Sequence, residues 1–331
     1  MANRAYIGDL SVNDYLTNIR EGLSFIEWGR TVSSDTRIFI KPNLTYPTFR
    51  PGVMTCPEAI EAAIIAIKDY TPHIMIGDAD SGGYNRFSMD EVYQATGLVD
   101  FAQKYGVQVV NLSSGSRRAI NFNYSGKSFS LDLPRLLTDE IDQLVTMPVP
   151  KVHANTTVSL SFKNQWGCIP EPTDRLKLHP YFQHVILEVN RAVKTQTVIM
   201  DGTYGLNGNG PMKGQAVKLN WLMVADHPGS AAQIALEMMQ IPLEKVRHLR
   251  YAQQQGWIPE RSSISTNVEP ALFKKEAFYM KRGLTDWPGY LAFNSSFLAY
   301  LAYFSPLAGF LHWLLYLVRE PLYDYNRKKI V

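Results

Sequence analysis

Between Met147 and Pro170 the chain reads MPVPKVHANTTVSLSFKNQWGCIP, which sets Lys151, His153, Asn155, Lys163 and Asn164 beside Gly167 and Cys168 at the end of an apolar run. A neutral imidazole accepts a proton or ligates a metal, and a nearby lysine stabilises developing negative charge. His153 is therefore the leading catalytic candidate, with Lys163 as a second catalytic group and Lys151 and Asn164 as ligand-binding side chains. Three other segments carry similar chemistry. Lys41-Pro42-Asn43 follows an apolar run, and its proline removes a backbone donor and fixes the turn, so Lys41 is aimed off a strand end towards a carboxylate or phosphate. Gly77-Asp78-Ala79-Asp80-Ser81-Gly82-Gly83 is an acidic turn suited to a hard cation or a sugar hydroxyl, with Asp78 as its leading ligand group. Asp201-Gly202-Thr203-Tyr204-Gly205-Leu206-Asn207-Gly208-Asn209-Gly210-Pro211 has four glycines after a strand, so Gly208, Asn209 and Gly210 are expected to bring backbone N–H groups to an anion, with Asp201 as a third catalytic group. No helical pattern follows it, which excludes a Walker A loop and a helix-opening dinucleotide fingerprint.

Short apolar runs and helical stretches alternate along the chain. Strands are expected at 36–40, 73–77, 107–112, 144–149, 156–162, 197–200 and 219–225, and a hairpin at 119–131 turning at Ser125-Gly126. Helices are expected at 57–69, 88–96, 98–105, 181–194 and 231–239. This alternation predicts an α/β fold with a mostly parallel sheet covered by helices, over residues 6–255. In an open parallel sheet the strand C-termini share one edge, so Lys41, Asn43, Asp78, His153, Lys163, Asn164, His179, Asp201 and Asn209 are expected to converge in one crevice. Cationic and amide groups beside a glycine loop point to a small anionic ligand, carboxylate or phosphate.

The bulk properties narrow the classes. At 331 residues the chain can build one large α/β domain or two smaller ones. A net charge of +3 and the lack of a basic stripe with interleaved aromatics argue against nucleic acid. Two cysteines, Cys56 and Cys168, are too few for a cysteine-only iron–sulfur cluster, and so sparse a usage suits a reducing, cytoplasmic setting. Cys56 sits at an expected helix start, where a thiol pKa falls.

Residues 256–331 differ in kind and are expected to form a helical appendage. From Trp287 to Val318 there is no Asp, Glu, Lys or Arg, and Arg319, Arg327, Lys328 and Lys329 follow. Apolar helices broken near Pro306, with basic residues after them, predict a shallow contact of 287–331 with the inner face of a membrane rather than a full span. The competing expectation is that these helices pack on the α/β domain or on a second copy of the chain.

Several of these motifs together resemble the domain-of-unknown-function 362 family. Its "P-K-x-K-x-H" element matches Pro150, Lys151 and His153, and its "L-K-N-x-x-G-C-x-P" element matches Lys163, Asn164, Gly167, Cys168 and Pro170. Its "K-P-N" matches 41–43, its "T-x-P-E" matches 55–58, and its "D-G-x-x-G-x-x-G-x-G-P" matches 201–211. The resemblance spans about residues 37–242. His179 corresponds to a histidine the family often shows, so His153, His179 and Asp201 are a conceivable ligand set for a divalent metal. The chain departs from the family where "D-P-x-A-x-D" is replaced by 227–232, beginning at His227. If the family's aspartates serve catalysis, this departure implies a protein that binds without turnover, a membrane-associated binding or assembly factor. The ferredoxin-like segment of many members is absent from the sequence.

Overall fold

The computed structural model describes residues 3–81 and 87–318. The first strand is β1 (Asn3–Asp9), followed by helix α1 (Tyr15–Phe25), whose N-cap Asp14 accepts from the Thr17 N–H. Then come β2 (Ile38–Pro42), α2 (Pro57–Lys68), β3 (Ile74–Asp78), α3 (Met89–Ala95), α4 (Leu98–Tyr105) and β4 (Gln108–Asn111). A hairpin of β5 (Arg117–Tyr124) and β6 (Lys127–Pro134) projects as a separate two-stranded sheet. The chain continues through β7 (Gln143–Met147), β8 (Lys151–His153), β9 (Thr157–Ser159), α5 (Ser161–Asn164), α6 (Pro172–Leu178), α7 (Phe182–Ala192), β10 (Thr195–Asn207), β11 (Gln215–Ala225), α8 (Pro228–Met239), α9 (Arg247–Gln254) and β12 (Ile264–Thr266).

The main sheet has the order β12-β1-β11-β10-β7-β2-β3-β4, with β8 and β9 branching from β10. β10, β7, β2, β3 and β4 run parallel, while β11 is antiparallel to both of its neighbours. The fold is thus α/β with a mostly parallel sheet. Side chains alternate across it. Ile38 and Ile40 enter a core under α1–α4, while Phe39 enters a core on the other face under α5, α7, α8 and α9. Burial of each such side chain stabilises the fold by about 1.5–3 kcal/mol.

Among the differences from the sequence reading, three concern strand ends and the extent of the sheet. The strand expected at 156–162 stops at Ser159, because Ser161 Oγ donates to Pro228 O at 2.7 Å and the backbone turns into α5. The strand expected at 197–200 instead continues to Asn207, so Gly202 and Gly205 are strand residues rather than loop residues. Their lack of a side chain serves packing: a Cβ on Gly202 would stand 2.2 Å from the Trp221 ring, and one on Gly205 2.7 Å from Phe278. The sheet also extends past residue 255, since β12 pairs with β1 and the Asn267 amide bridges the Ile7 backbone.

Helices α10 (Trp287–Asn294), α11 (Ser296–Tyr303) and α12 (Ala308–Val318) follow, with the expected break around Pro306 and a bend of 83° between α11 and α12. Among the described residues no single helix is long and apolar enough to cross a membrane. α10 and α11 pack on α6 and on the turn His179–Tyr181. Their outer side and that of α12 leave Phe297, Tyr300, Leu307, Phe310, Trp313 and Leu317 more than half exposed. Arg319, Arg327, Lys328 and Lys329 lie outside the described residues, as do Gly82 and Gly83 of the acidic turn.

Candidate functional site

A cleft of about 640 Å³ opens between β8, the segment from α5 to α6, the loop at 209–213 and helices α10–α12. The helical turn of α5 delivers Lys163 to its wall. Lys163 lies 5.6 Å from the centre of the Phe182 ring, and among the described residues no carboxylate forms an ion pair with it. Burial, reinforced by the Arg175 charge, holds its ammonium down to about 7. Arg175, on α6, is itself buried, and its guanidinium donates to carbonyls only: Nε to Ile169 O at 2.8 Å and Nη1 to Asp80 O at 2.7 Å. It therefore keeps its positive charge directed at the cleft.

A second polar layer lies behind this wall. Lys41 Nζ donates to Asp78 Oδ1 at 2.7 Å, with both side chains almost fully buried. Gly167 closes over the pair, where a Cβ would stand 2.6 Å from Asp78 Oδ1 and 2.9 Å from Lys41 Nζ. Lys151 is buried and donates to Val53 O at 2.7 Å. Burial, then the Lys163 charge, pushes it down to about 7, against the pull of Asp78. Among the described residues Lys41, Lys151, Lys163 and Arg175 thus outnumber Asp78 and the cleft-lining Asp286, which favours an anion in the cleft.

His153 lines the cleft, and its Nδ1 accepts from the Asn155 N–H at 3.1 Å. Burial and the neighbouring lysines hold its pKa well below the usual histidine range, so the ring is neutral. With Nδ1 accepting, the proton of the neutral ring belongs on Nε2, which makes His153 a hydrogen-bond donor rather than a base in this arrangement. His179 stacks on Trp166 at 5.8 Å, and burial lowers it to about 3.

The other residues singled out from sequence divide between the cleft and the scaffold. Asn209 and Gly210 line the cleft. Asn209 Nδ2 donates to Asp286 Oδ2 at 3.0 Å, and Gly210 approaches β8 so closely that a Cβ would stand 1.9 Å from Val152 O. The Gly208 N–H is committed to Tyr279 O and Asn207 Oδ1, so this amide is not offered to a ligand. Asn164 is buried and spends its amide on Lys41 O and Thr146 Oγ1, holding strands together rather than meeting a ligand. Asn43 ties its backbone to Thr55 on both sides.

Asp201 does not join the others. Alternation along β10 sends Val198 and Met200 to the core beneath the cleft and Ile199 and Asp201 to the α1–α2 face. There Asp201 Oδ2 accepts from the Cys56 N–H at 2.7 Å, beside Tyr15 and Thr203. The expected single crevice therefore splits, and His153, His179 and Asp201 are not brought together. Among the described residues no group of three His, Cys, Asp or Glu side chains is placed to hold a metal ion. Cys56 is not poised as a nucleophile. It caps α2, yet burial and the adjacent Asp201 push its thiol up to about 12, outweighing the helix terminus. At the family's aspartate position, His227 caps α8, with Nδ1 accepting from the Gly229 N–H at 3.0 Å.

Sequence reading missed Arg175, Trp166 and Phe182. Arg175 sits between Asp174 and Lys177 in a polar helix, and nothing in that pattern distinguishes it from a solvated side chain.

The chain is 23% identical over 247 residues to a thylakoid-associated protein of Synechocystis, covering 72% of this chain and 73% of that protein. Over 102 residues it is 32% identical to talin-A of Dictyostelium discoideum, 4% of that protein's length. Among solved structures it is similar to the lactate racemase apoprotein of Thermoanaerobacterium thermosaccharolyticum, with a TM-score of 0.47 and 16% identity over 72% of this chain. It is also similar to a Thermotoga maritima protein, with a TM-score of 0.41 and 9% identity over 68% of this chain. The chain spans 56% and 59% of those two structures. The family model described as domain of unknown function (DUF362) matches residues 38–237, well over half of the chain, and the chain belongs to that family.

Proposed function

We propose that the cleft binds a small anion, carboxylate or phosphate, with Lys163 as its direct counter-charge. Arg175 and the buried Lys151 deepen the positive potential, and His153 Nε2–H donates to the same ligand. The observation that carries this reading is Lys163 itself, a lysine on the cleft wall with no carboxylate partner among the described residues and an ammonium held down to about 7. A lysine near neutrality can also take a proton from a bound substrate, so proton transfer beside a carboxylate is the reaction class that this geometry suits. Calorimetric titration of the full chain with inorganic phosphate and with propionate tests the reading. Binding in the wild type and its loss in Lys163→Met and Arg175→Met, with circular dichroism unchanged, is the expected result. Undiminished binding in Lys163→Met would refute it.

A second observation favours a membrane-surface setting for the same protein. α11 and α12 expose aromatic and aliphatic side chains, and the Synechocystis relative is described as thylakoid-associated. Flotation with vesicles containing anionic lipid is expected to carry the wild type and not the variant Phe310→Glu/Trp313→Glu. Equal flotation of the two, or none by either, rejects a membrane role for α12.

A further inference from the structure

The cleft is far larger than a bare anion requires, and its two sides differ in chemistry. About 640 Å³ lies within the range of pockets that enclose drug-sized ligands, and roughly twenty waters would share it. The cationic side is Lys163 and Arg175, with His153 between them and the loop at 209–213. Facing it is a continuous aromatic wall: Trp166 meets Phe182 at 4.7 Å between ring centres, and Phe182 meets Phe293 at 5.5 Å. α12 extends that wall with Leu311 and Leu314 and turns Phe310, Trp313 and Leu317 outwards, so the apolar lining runs on into the exposed apolar face.

A hydrophilic anion would satisfy the lysine and leave the aromatic wall wet. A neutral hydrocarbon would cover the wall and leave Lys163 without a counter-charge. One class of ligand answers both sides. The geometry points to a single-chain anionic amphiphile, with a phosphate or carboxylate head at Lys163 and an alkyl or polyprenyl chain along Trp166, Phe182 and Phe293 towards α12. This assignment rests on the anion-binding reading above and adds the chain. α12 then has a double role, closing the cleft on one side and presenting the apolar surface from which such a molecule enters. Lys163 suits either head chemistry, because an ammonium serves as a point charge, while Arg175, whose nitrogens are held by the Ile169 and Asp80 carbonyls, adds positive potential.

The test is calorimetric titration of the full chain, below the micelle concentration, with four probes: decyl phosphate, decanoate, ethyl phosphate and uncharged decanol. Each buried methylene is worth roughly a fourfold gain in affinity, so burying four of the eight added methylenes makes decyl phosphate about 250-fold tighter than ethyl phosphate. Leu311→Asp, on the helix that closes the cleft, is expected to shrink that ratio below about tenfold with circular dichroism unchanged. The Trp166 environment provides a second readout, a fluorescence change on adding decyl phosphate that ethyl phosphate does not produce. Equal affinities for ethyl and decyl phosphate overturn the amphiphile assignment and leave the anion site standing. Decanol binding as tightly as decyl phosphate, or no binding of any anionic probe, overturns the anion reading and this one with it. If decanoate alone or decyl phosphate alone shows the gain, the head is fixed as carboxylate or phosphate and the assignment holds.

Discussion

Lys163 should make anion binding strongly pH-dependent. Its ammonium is held down to about 7 in the empty cleft, by burial first and by Arg175 second. The histidines and Arg175 do not blur the titration. Arg175 stays charged, His153 lies well below the usual histidine range, and His179 and His248 are held near about 3, so the three rings are neutral above pH 6. A bound carboxylate restores a counter-charge and returns the ammonium pKa towards its ordinary value. At pH 8 the empty site is only about 9% protonated, so binding takes up roughly 0.9 proton at Lys163, against about 0.1 at pH 6. The competent fraction drops from about 0.9 at pH 6 to about 0.01 at pH 9, which is about 90-fold in affinity, or ~2.7 kcal/mol. Lys151, also at about 7, adds in the same direction. The assay is calorimetry with propionate, ionised throughout this range, in buffers of different ionisation enthalpy at pH 6, 8 and 9. A net uptake indistinguishable from zero at pH 8, or a change in affinity below threefold between pH 6 and 9, would refute the reasoning. The same depressed pKa has a stability consequence whose sign is fixed. Between about 7 and 10.5 the unfolded chain binds a proton that the folded chain lacks, so the stability of the ligand-free protein rises with pH through that window and its penalty is fully present below 7. Lys163→Met removes the penalty and should stabilise the ligand-free protein near pH 7, by up to about 4 kcal/mol, while abolishing anion binding.

Asp78→Asn leaves Lys41 buried without its 2.7 Å partner and is expected to cost about 3–5 kcal/mol in urea unfolding at pH 7; a loss under 1 kcal/mol contradicts the burial argument. Gly210→Ala drives a Cβ against Val152 O, which cannot swing aside, and should both destabilise the fold by at least about 1–3 kcal/mol and weaken propionate binding; wild-type values in both assays count against the close approach. Both thiols are buried and pushed up to about 12, so neither Cys56 nor Cys168 should react with a disulfide reagent at pH 8 in the native protein, and both should react in urea. Rapid native labelling of Cys56 would show that the helix terminus prevails over burial after all.

The sequence by itself determined the class of the fold and part of the candidate site. Alternating apolar runs and helical periods are local signals, and β2, α2, β3, α4, β4 and β7 stand within a few residues of where those signals put them. His153 and Lys163 were legible because basic residues at the end of an apolar run lie at a strand edge in any open parallel sheet. What the sequence could not determine is which way a side chain points once its strand is longer than its apolar stretch. Asp201 and His153 both follow strand residues, yet the two-residue period of β10, with Val198 and Met200 on one side and Ile199 on the other, turns Asp201 towards α1 and α2. Gly202 and Gly205 looked like a ligand loop because a glycine that lets an aromatic ring approach has the same letter as one that lets a phosphate approach; only Trp221 and Phe278 in place show which it is. Asn164 reads as a ligand amide until Lys41 O and Thr146 Oγ1 are found to use it. Arg175 and Phe182 became part of the cleft through contacts between segments far apart in the chain. Charge compensation, the alternation of faces and aromatic packing are sums over such distant neighbours, so tertiary structure alone decided that Lys163 faces an aromatic-walled cleft with no ion-pair partner among the described residues.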